Sequence, residues 1–175
     1  MSQSADSGHH HPDIDPKDFR RALGTFVTGV TIITTRRPNG EFAGLTANSF
    51  SSVSLSPPLV LWSLSLFAPS LPAFQESSHF SINILAADQM HLSQKFSRSA
   101  PNKFEGVAVR EGIGGVPLIE GAAASFTCRN EFRYYGGDHV IFLGAVLAYE
   151  YSDLPPLVFA RGRYVDVQER FDPPA

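Results

Sequence analysis

The sequence has almost no cysteine, no long apolar run and no excess of basic charge. Only one of its 175 residues is cysteine, which excludes an internal disulfide framework and is typical of a reducing cytosol. No apolar run approaches the roughly 20 residues that a membrane-spanning helix needs, and the N-terminus lacks a signal-peptide pattern. The net charge of −3 provides no global basic field for nucleic acid. These absences predict a cytoplasmic protein without membrane or nucleic-acid partners.

The apolar content that is present suffices for one folded domain. Hydrophobic residues make up 43% of the chain, which at this length supports a single sizeable core. We expect a disordered N-terminal tail over residues 1–14, because that segment is polar and rich in turn formers. The domain is expected over residues 15–168, followed by a C-terminal tail over 169–175. Three adjacent histidines at 9–11 lie on the first tail, where a fixed metal site is not expected.

The spacing of apolar residues predicts many strands and a few short helices. Helices are predicted from Asp15, with Pro16 in the first turn, from Ser70, and over residues 86–96. Strands are predicted at 30–36, 42–46, 59–66 and 79–85, followed by three long strands at 122–135, 139–151 and 155–167. Strands that recur roughly every 10 to 20 residues without alternating helices favour an antiparallel barrel. The glycine-rich turn of a Rossmann unit is absent from the sequence.

An uncharged polar stretch lies between two of the predicted strands. In TANSFSSVS, residues 46–54, seven of nine residues are small or carry a hydroxyl or an amide. Such a row offers neutral hydrogen-bonding groups, and its small side chains allow a ligand to approach the backbone. For the serines at 52, 54 and 56 we favour the alternative interpretation, which is a solvated strand face.

Four segments of the chain resemble the flavin reductase family, and they occur in the family's order. The segments are FRRALGTFVTGVTIITT, GLTANSFSSVSLSPPLVLWSLS, HFSINIL and GGDHVIFLGAV, and the resemblance extends over residues 19–165. Members of this family are the small reductase components of two-component flavin-dependent monooxygenases. The resemblance implies a mainly β, single-domain protein with a few short helices, folded as a split β-barrel of the Greek-key, FMN-binding type.

The resemblance also implies an activity, cofactors and partners. The expected activity is that of an NAD(P)H:flavin oxidoreductase, which transfers hydride from NADH or NADPH to FMN or FAD and supplies reduced flavin to a partner monooxygenase. Family members pair as homodimers. Two alternatives remain open: a flavoprotein that keeps its flavin permanently bound and acts as an electron carrier or reduces another acceptor, and a flavin-binding barrel without a donor site. The intact GGDH segment argues against a flavin-binding barrel without a donor site.

The family alignment implies which residues contact the flavin. The ring contacts are expected from Thr46, Ala47, Asn48 and Ser49. Phosphate contacts are expected from Ser63, Ser65 and Ser70, since hydroxyls and free N–H groups ahead of a helix suit an anion. Ser70 would alternatively cap that helix. Many relatives carry Arg or Lys near the position of Phe67, so a phosphate cation is not expected there in this chain.

A second group of residues is expected at the donor side of the flavin. The resemblance implies that Gly137, Asp138 and His139 form a turn at which the nicotinamide docks. His139 is the candidate catalytic residue, which positions the nicotinamide or balances charge, while Asp138 fixes the turn or orients the histidine. Hydride transfer needs stacked rings and essentially no acid or base to begin.

Other polar residues have competing interpretations. Asn83 is expected either to line the flavin or to act as a buried structural bridge, because a buried amide needs partners. Arg161 and Arg163 flank Gly162 in the last predicted strand and either touch cofactor phosphates or cover a dimer edge. Cys128 is interpreted as a core residue rather than a nucleophile.

Overall fold

Strands account for most of the ordered elements in the computed structural model, which describes residues 14–168. Within that range the strands are β1 (Thr28–Gly29), β2 (Thr31–Arg36), β3 (Phe42–Ala47), β4 (Ser51–Leu55), β5 (Pro58–Ser65), β6 (His79–Ile84), β7 (Val109–Glu111), β8 (Pro117–Ile119), β9 (Ala124–Gly136), β10 (His139–Tyr151), β11 (Val158–Ala160) and β12 (Arg163–Val165). The helices are α1 (Pro16–Leu23), α2 (Leu71–Glu76) and α3 (Met90–Ser97), with 3₁₀ turns at Ala87–Gln89 and Ile113–Gly115. The two predicted tails, apart from Ile14, and the three adjacent histidines lie outside the described residues.

Seven strands form one antiparallel sheet that curls into an open barrel. Their order is β3-β2-β6-β9-β10-β5-β4, so β3 and β4 lie at opposite edges. Only residues 48–50 connect these two strands, and the four residue steps from Ala47 to Ser51 span at most about 14 Å. In a flat seven-stranded sheet the outer strands would lie about 29 Å apart. The short connection therefore requires the sheet to curl until its edges approach, and this confirms the predicted mainly β, split-barrel fold.

Two apolar clusters pack on opposite faces of the strands β2 and β6. Alternate residues of a strand point to opposite faces, so Ile33 and Ile82 join one cluster while Ile32 joins the other. The first cluster also holds the aromatic core, in which Trp62 stacks on Phe142 at a centroid distance of 4.6 Å. The second cluster lies beneath α3 and includes Leu92, Phe96 and Leu157. These clusters hold the sheet in its curled form.

Gly144 is required where β10 crosses the aromatic core. A Cβ at this position would lie 2.5 Å from Cζ of Phe80 and 2.9 Å from Cβ of Cys128. Both neighbours are buried, so they have little room to move away. Only glycine therefore allows this close approach of strand and core.

The prediction of one long strand over residues 155–167 is wrong. β11 and β12 instead form a hairpin, whose turn contains Arg161 with φ 50° and Gly162 with φ 77°. Two consecutive left-handed residues match the backbone twist of a type I′ hairpin turn. Because the first of them is an arginine, only one glycine in the sequence signalled this turn.

The polar residues after position 50 form an edge strand. β4 pairs only with β5, and Ser52, Ser54 and Ser56 are exposed or half-buried. Their interpretation as a solvated face is therefore confirmed. Among the described helices, none is long and apolar enough to cross a membrane.

Cys128 is completely buried in the first cluster. Burial raises the pKa of its thiol to about 12, because the charged thiolate is disfavoured in apolar surroundings. We expect no reaction with a water-soluble thiol reagent at pH 8 in the native protein, and reaction of one thiol per chain after unfolding in urea. Rapid modification of the native protein in a spectrophotometric thiol assay would contradict this placement.

Candidate functional site

One surface cleft brings together three segments that are far apart in sequence. It contains the 46–49 segment after β3, Ser63 and Ser65 of β5, and Gly136 and His139 around the β9–β10 turn. These segments lie close together because the curl of the sheet brings the end of β3 against β5. We call this cleft the ring pocket. No Asp, Glu, Lys or Arg side chain lines it.

The strand β3 offers backbone groups to the ring pocket. β3 is an edge strand that pairs only with β2, so every second residue directs its N–H and C=O away from the sheet. Two contacts show which residues of β3 point away from β2. Arg37 N donates to the Glu41 carbonyl at 2.8 Å across the β2–β3 turn, so the backbone groups of Glu41 point toward β2 and those of every odd-numbered residue after it do the same. The Gly44 carbonyl points away and accepts from Lys103 Nζ at 3.2 Å. Thr46 is two residues after Gly44. Its backbone N–H and C=O therefore also point away from β2.

Two hydroxyls of the 46–49 segment are already used within the protein. The Thr46 hydroxyl donates to the Ser93 carbonyl on α3 at 2.7 Å. Ser49 Oγ accepts from Ser63 N at 2.9 Å and donates to the Ser63 carbonyl at 3.1 Å. These bonds fasten both ends of the segment, so Thr46 and Ser49 can serve a ligand mainly through their backbone groups.

Other polar groups of the ring pocket remain available. The Asn48 side chain is exposed and forms no hydrogen bond to other described residues in this cleft. The Ser65 hydroxyl accepts from Phe67 N at 3.2 Å and still has its own proton to donate. Ala47, with its small side chain, leaves room for close approach. A planar ligand whose edge carries carbonyls and ring nitrogens would find neutral partners here.

The β9–β10 turn places His139 at the mouth of the ring pocket. Gly137 has φ 60°, as the first central residue of a type II′ hairpin turn requires. The turn is attached to the end of β5, since Leu66 N donates to the Asp138 carbonyl at 2.9 Å and His139 pairs with Ser65. The predicted turn at this position is therefore present, and it lies beside the 46–49 segment.

Asp138 orients the imidazole of His139. His139 Nδ1 lies 2.7 Å from Asp138 Oδ1, and in the neutral ring this contact requires the proton on Nδ1, which leaves Nε2 as the acceptor. The hydrogen bond from His139, together with the histidine's charge, lowers the pKa of Asp138 below its usual range. The carboxylate therefore stays ionised to lower pH than an isolated aspartate, and the contact weakens only as the pH falls through that lowered pKa.

Asn83 lies outside the ring pocket as a buried bridge. Its side chain is completely buried. Its amide nitrogen donates to the Ile32 carbonyl at 3.0 Å and to Ser81 Oγ at 3.1 Å. Its amide oxygen accepts from Ile119 N at 2.9 Å and from Ser125 Oγ at 3.0 Å. Every hydrogen-bonding position of the amide is used, so of the two interpretations the structure favours the bridge, and the expected flavin contact is not supported.

Ser70 lies in a second cleft rather than in the ring pocket. It is the N-cap residue of α2 by position, as the capping interpretation predicts, but its hydroxyl forms no capping hydrogen bond. The second cleft also contains Arg37, Arg98 and Lys103 and shares Leu45 and Thr46 with the ring pocket. We call it the cationic cleft. Sequence reasoning missed these three cations, although the run SRSAPNK after α3 carries two of them and was the available signal.

The two arginines near Gly162 lie elsewhere. Arg161 occupies the β11–β12 turn, where its N–H donates to the Gly24 carbonyl at 2.7 Å, and Arg163 begins β12. Neither residue lines the ring pocket or the cationic cleft. Within residues 14–168 no group of three or more His, Cys, Asp or Glu side chains is placed to hold a metal ion.

The described residues form an open antiparallel barrel with a neutral pocket at its seam. Residues 23–168 match the family described as "Flavin reductase like domain". The chain is 45% identical over 148 residues to "FMN reductase (NADH) SmoA" of Agrobacterium fabrum, covering 85% of this chain and 84% of that protein. It is 41% identical over 150 residues to "Probable flavin reductase" of Rhizobium meliloti, covering 86% of this chain but only 48% of that longer protein.

A solved structure extends the similarity to the whole fold. Nitrilotriacetate monooxygenase component B from Mycobacterium thermoresistibile superposes with a TM-score of 0.84 at 38% identity, covering 91% of this chain and 90% of that one. The chain therefore belongs to the flavin reductase family, and the resemblance inferred from its four sequence segments is confirmed.

Proposed function

We propose that the protein is an NAD(P)H:flavin oxidoreductase that reduces FMN or FAD with NADH or NADPH. The observation that carries this proposal is the ring pocket, in which neutral donors and acceptors for a flavin edge lie in the same cleft as His139. The names of its relatives, an NADH-dependent FMN reductase and a monooxygenase component, agree with this activity.

The residues of the ring pocket divide the work of binding and positioning. The flavin, when bound, supplies the acceptor for a hydride from the nicotinamide. The backbone groups of Thr46 and the amide of Asn48 hold the polar edge of the ring. His139, oriented by Asp138, positions the nicotinamide through the free Nε2 side of its imidazole. Neither His139 nor Asp138 has to transfer a proton for the hydride step to begin.

The activity test is anaerobic flavin reduction. We expect the protein to bleach added FMN or FAD when NADH or NADPH is supplied, and to consume oxygen in air as reduced flavin reoxidises. Stopped-flow absorbance at the flavin maximum measures the rate. Absence of bleaching with either donor, while free flavin and donor remain intact, would refute the proposal.

A permanently bound flavin is the second candidate. The exposure of Asn48 and His139 favours exchange, because a flavin in this cleft would keep much of its surface in water. We therefore propose a diffusing flavin that is passed to a partner monooxygenase. Gel filtration decides between the two: purified protein that stays yellow and oxidises NADH without added flavin would favour the bound flavoprotein.

We also propose a homodimer in which α1 contacts a second copy of the chain. None of the eight residues of α1 is buried. Its large apolar side chains face solvent in the single chain: Phe19, Leu23 and the following Phe26 are 52%, 59% and 78% exposed. A helix this short is not stable without packing, and clustered apolar residues mark an interface. We call these three residues the α1 patch.

Sedimentation tests the dimer. We expect about twice the chain mass at micromolar concentration, and a shift toward monomer when Phe26→Glu places a charge in the α1 patch. Ile113→Glu, at an exposed apolar position away from α1, is the control and should leave the mass unchanged. A monomer with full activity would contradict this assembly.

A further inference from the structure

A lysine outside the sheet holds the free edge of β3. Lys103 Nζ donates to the Gly44 carbonyl at 3.2 Å and to the Phe96 carbonyl at 2.9 Å. Because β3 pairs only with β2 and the Gly44 carbonyl points away from β2, no strand among residues 14–168 supplies this bond. The single ammonium, with its three N–H donors, therefore joins β3 to the helix α3.

The end of α3 favours a cation at this position. The helix covers Met90–Ser97, so the Phe96 carbonyl is one of its last four, which accept no hydrogen bond from within the helix. A positive charge near the C-terminal end of a helix also interacts favourably with the helix dipole. The contact with Phe96 therefore holds the ammonium at the position from which it reaches Gly44.

Close packing around Gly44 limits the movement of β3 in the other direction. A Cβ on Gly44 would lie 3.0 Å from Cε1 of Phe96 and 3.2 Å from Cζ of Phe104. The Phe104 ring packs on those of Phe42 and Phe96, with ring centroids 5.4 and 5.0 Å apart. These rings oppose a shift of β3 toward α3, and the hydrogen bond from Lys103 opposes a shift away from it.

A second hydrogen bond joins β3 to α3 at the ring pocket itself. Thr46 lies two residues after Gly44, and its hydroxyl donates to the Ser93 carbonyl of α3 at 2.7 Å. The helix thus holds two successive residues of β3 whose backbone groups point away from β2. Since Thr46 lines the ring pocket, these two bonds fix the position of the N–H and C=O that β3 offers to a ligand.

We propose that Lys103 is a positioning residue for flavin binding, which together with the bond between Thr46 and Ser93 fixes the outward N–H and C=O of Thr46 in the ring pocket. Lys103 does not line that pocket, so it acts through β3 rather than on the ring. Hydrogen-bonding groups that are already fixed bind a ligand without the entropic cost of ordering them. This inference rests on the proposed function, in which the ring of a flavin occupies the ring pocket.

Titration of the Lys103→Met variant with riboflavin tests this role. Methionine keeps an unbranched apolar stem and removes all three N–H donors. We expect riboflavin, which has no phosphate, to bind about three- to tenfold more weakly in fluorescence titrations, while the KM for NADH and the rate of reduction at saturating riboflavin stay unchanged. The matched control is Lys95→Met, because Lys95 lies on α3 and donates to the Glu105 carbonyl instead of to β3. This control should bind riboflavin as the native protein does.

A parallel titration with FMN separates positioning from direct contact with the ligand. If Lys103 acts through β3, the Lys103→Met variant loses affinity for FMN and for riboflavin by the same factor. A loss confined to FMN would mean that the lysine contacts the phosphate directly, and it would overturn the proposal. An unchanged riboflavin affinity would overturn it as well.

Thr46→Val tests the same edge of β3 without changing the lysine. Valine keeps the side-chain volume and the outward backbone groups, and it removes only the bond to the Ser93 carbonyl. We expect riboflavin to bind more weakly to this variant too, and native affinity would contradict the proposal. Native protein that neither binds nor reduces riboflavin would instead refute the proposed function, whereas normal binding by the native protein with unchanged variants overturns this inference alone.

Discussion

Replacing Trp62 with alanine is expected to lower the free energy of unfolding by about 3–5 kcal/mol. Trp62 is completely buried and contacts three aromatic rings, with Phe142 stacked at 4.6 Å and Phe74 and Phe80 edge-on at 4.9 and 5.8 Å. The three neighbouring rings belong to three different elements, β10, α2 and β6, so removing the indole leaves a cavity that no single side chain can fill. Urea unfolding at fixed protein concentration measures the loss.

The conservative change Trp62→Phe is the matched control for this prediction. The indole Nε1 is buried and forms no hydrogen bond to the described residues, and an unpaired buried donor carries a desolvation penalty of about 1–3 kcal/mol. Phenylalanine removes that donor while retaining most of the ring contacts. We expect its net effect to stay below about 1.5 kcal/mol. A loss below this value for Trp62→Ala as well would contradict the central role of the indole.

Replacing Asn48 and His139 separately with alanine is expected to produce two different defects. Asn48→Ala removes amide contacts to a ring that is bound before and during hydride transfer, so flavin affinity should weaken by about 1–2 kcal/mol, or roughly five- to thirtyfold. His139→Ala should leave flavin affinity nearly unchanged and instead raise the KM of the donor or slow hydride transfer. Flavin titration by fluorescence quenching and single-turnover flavin reduction measure the two quantities on each variant.

The Asp138→Asn variant is the control for the histidine. Asparagine can hold the β9–β10 turn and still accept a hydrogen bond from His139 Nδ1, so its effect should be smaller than that of His139→Ala. If His139→Ala abolishes flavin binding but reduces flavin normally at saturation, the two roles are reversed. If it changes neither quantity, the histidine is structural and the donor docks elsewhere.

The strands and the turn at His139 were accessible from sequence because their signals are local. Alternating and β-branched residues predicted β2, β3, β5 and β6 to within a few residues, and the glycine pair before Asp138 predicted the β9–β10 turn. The error at residues 155–167 arose because Arg161 adopts a left-handed conformation that its residue type rarely signals. A neighbouring chain segment stabilises it, through the hydrogen bond to Gly24.

By itself, the sequence determined the fold class, the family and the neutral segment at residues 46–49. The neutral segment and the mainly β character follow from patterns within short windows, where residue type and spacing decide the local structure, whereas the family and its split barrel were implied by the resemblance of four segments. The tertiary structure alone decided which polar groups remain free for a ligand. Asn83 is fully used by partners up to 51 residues away, whereas Arg37 and Arg98 meet Ser70 in one cleft. Such partnerships depend on how the sheet curls, because only the folded chain determines which distant groups come within hydrogen-bonding distance.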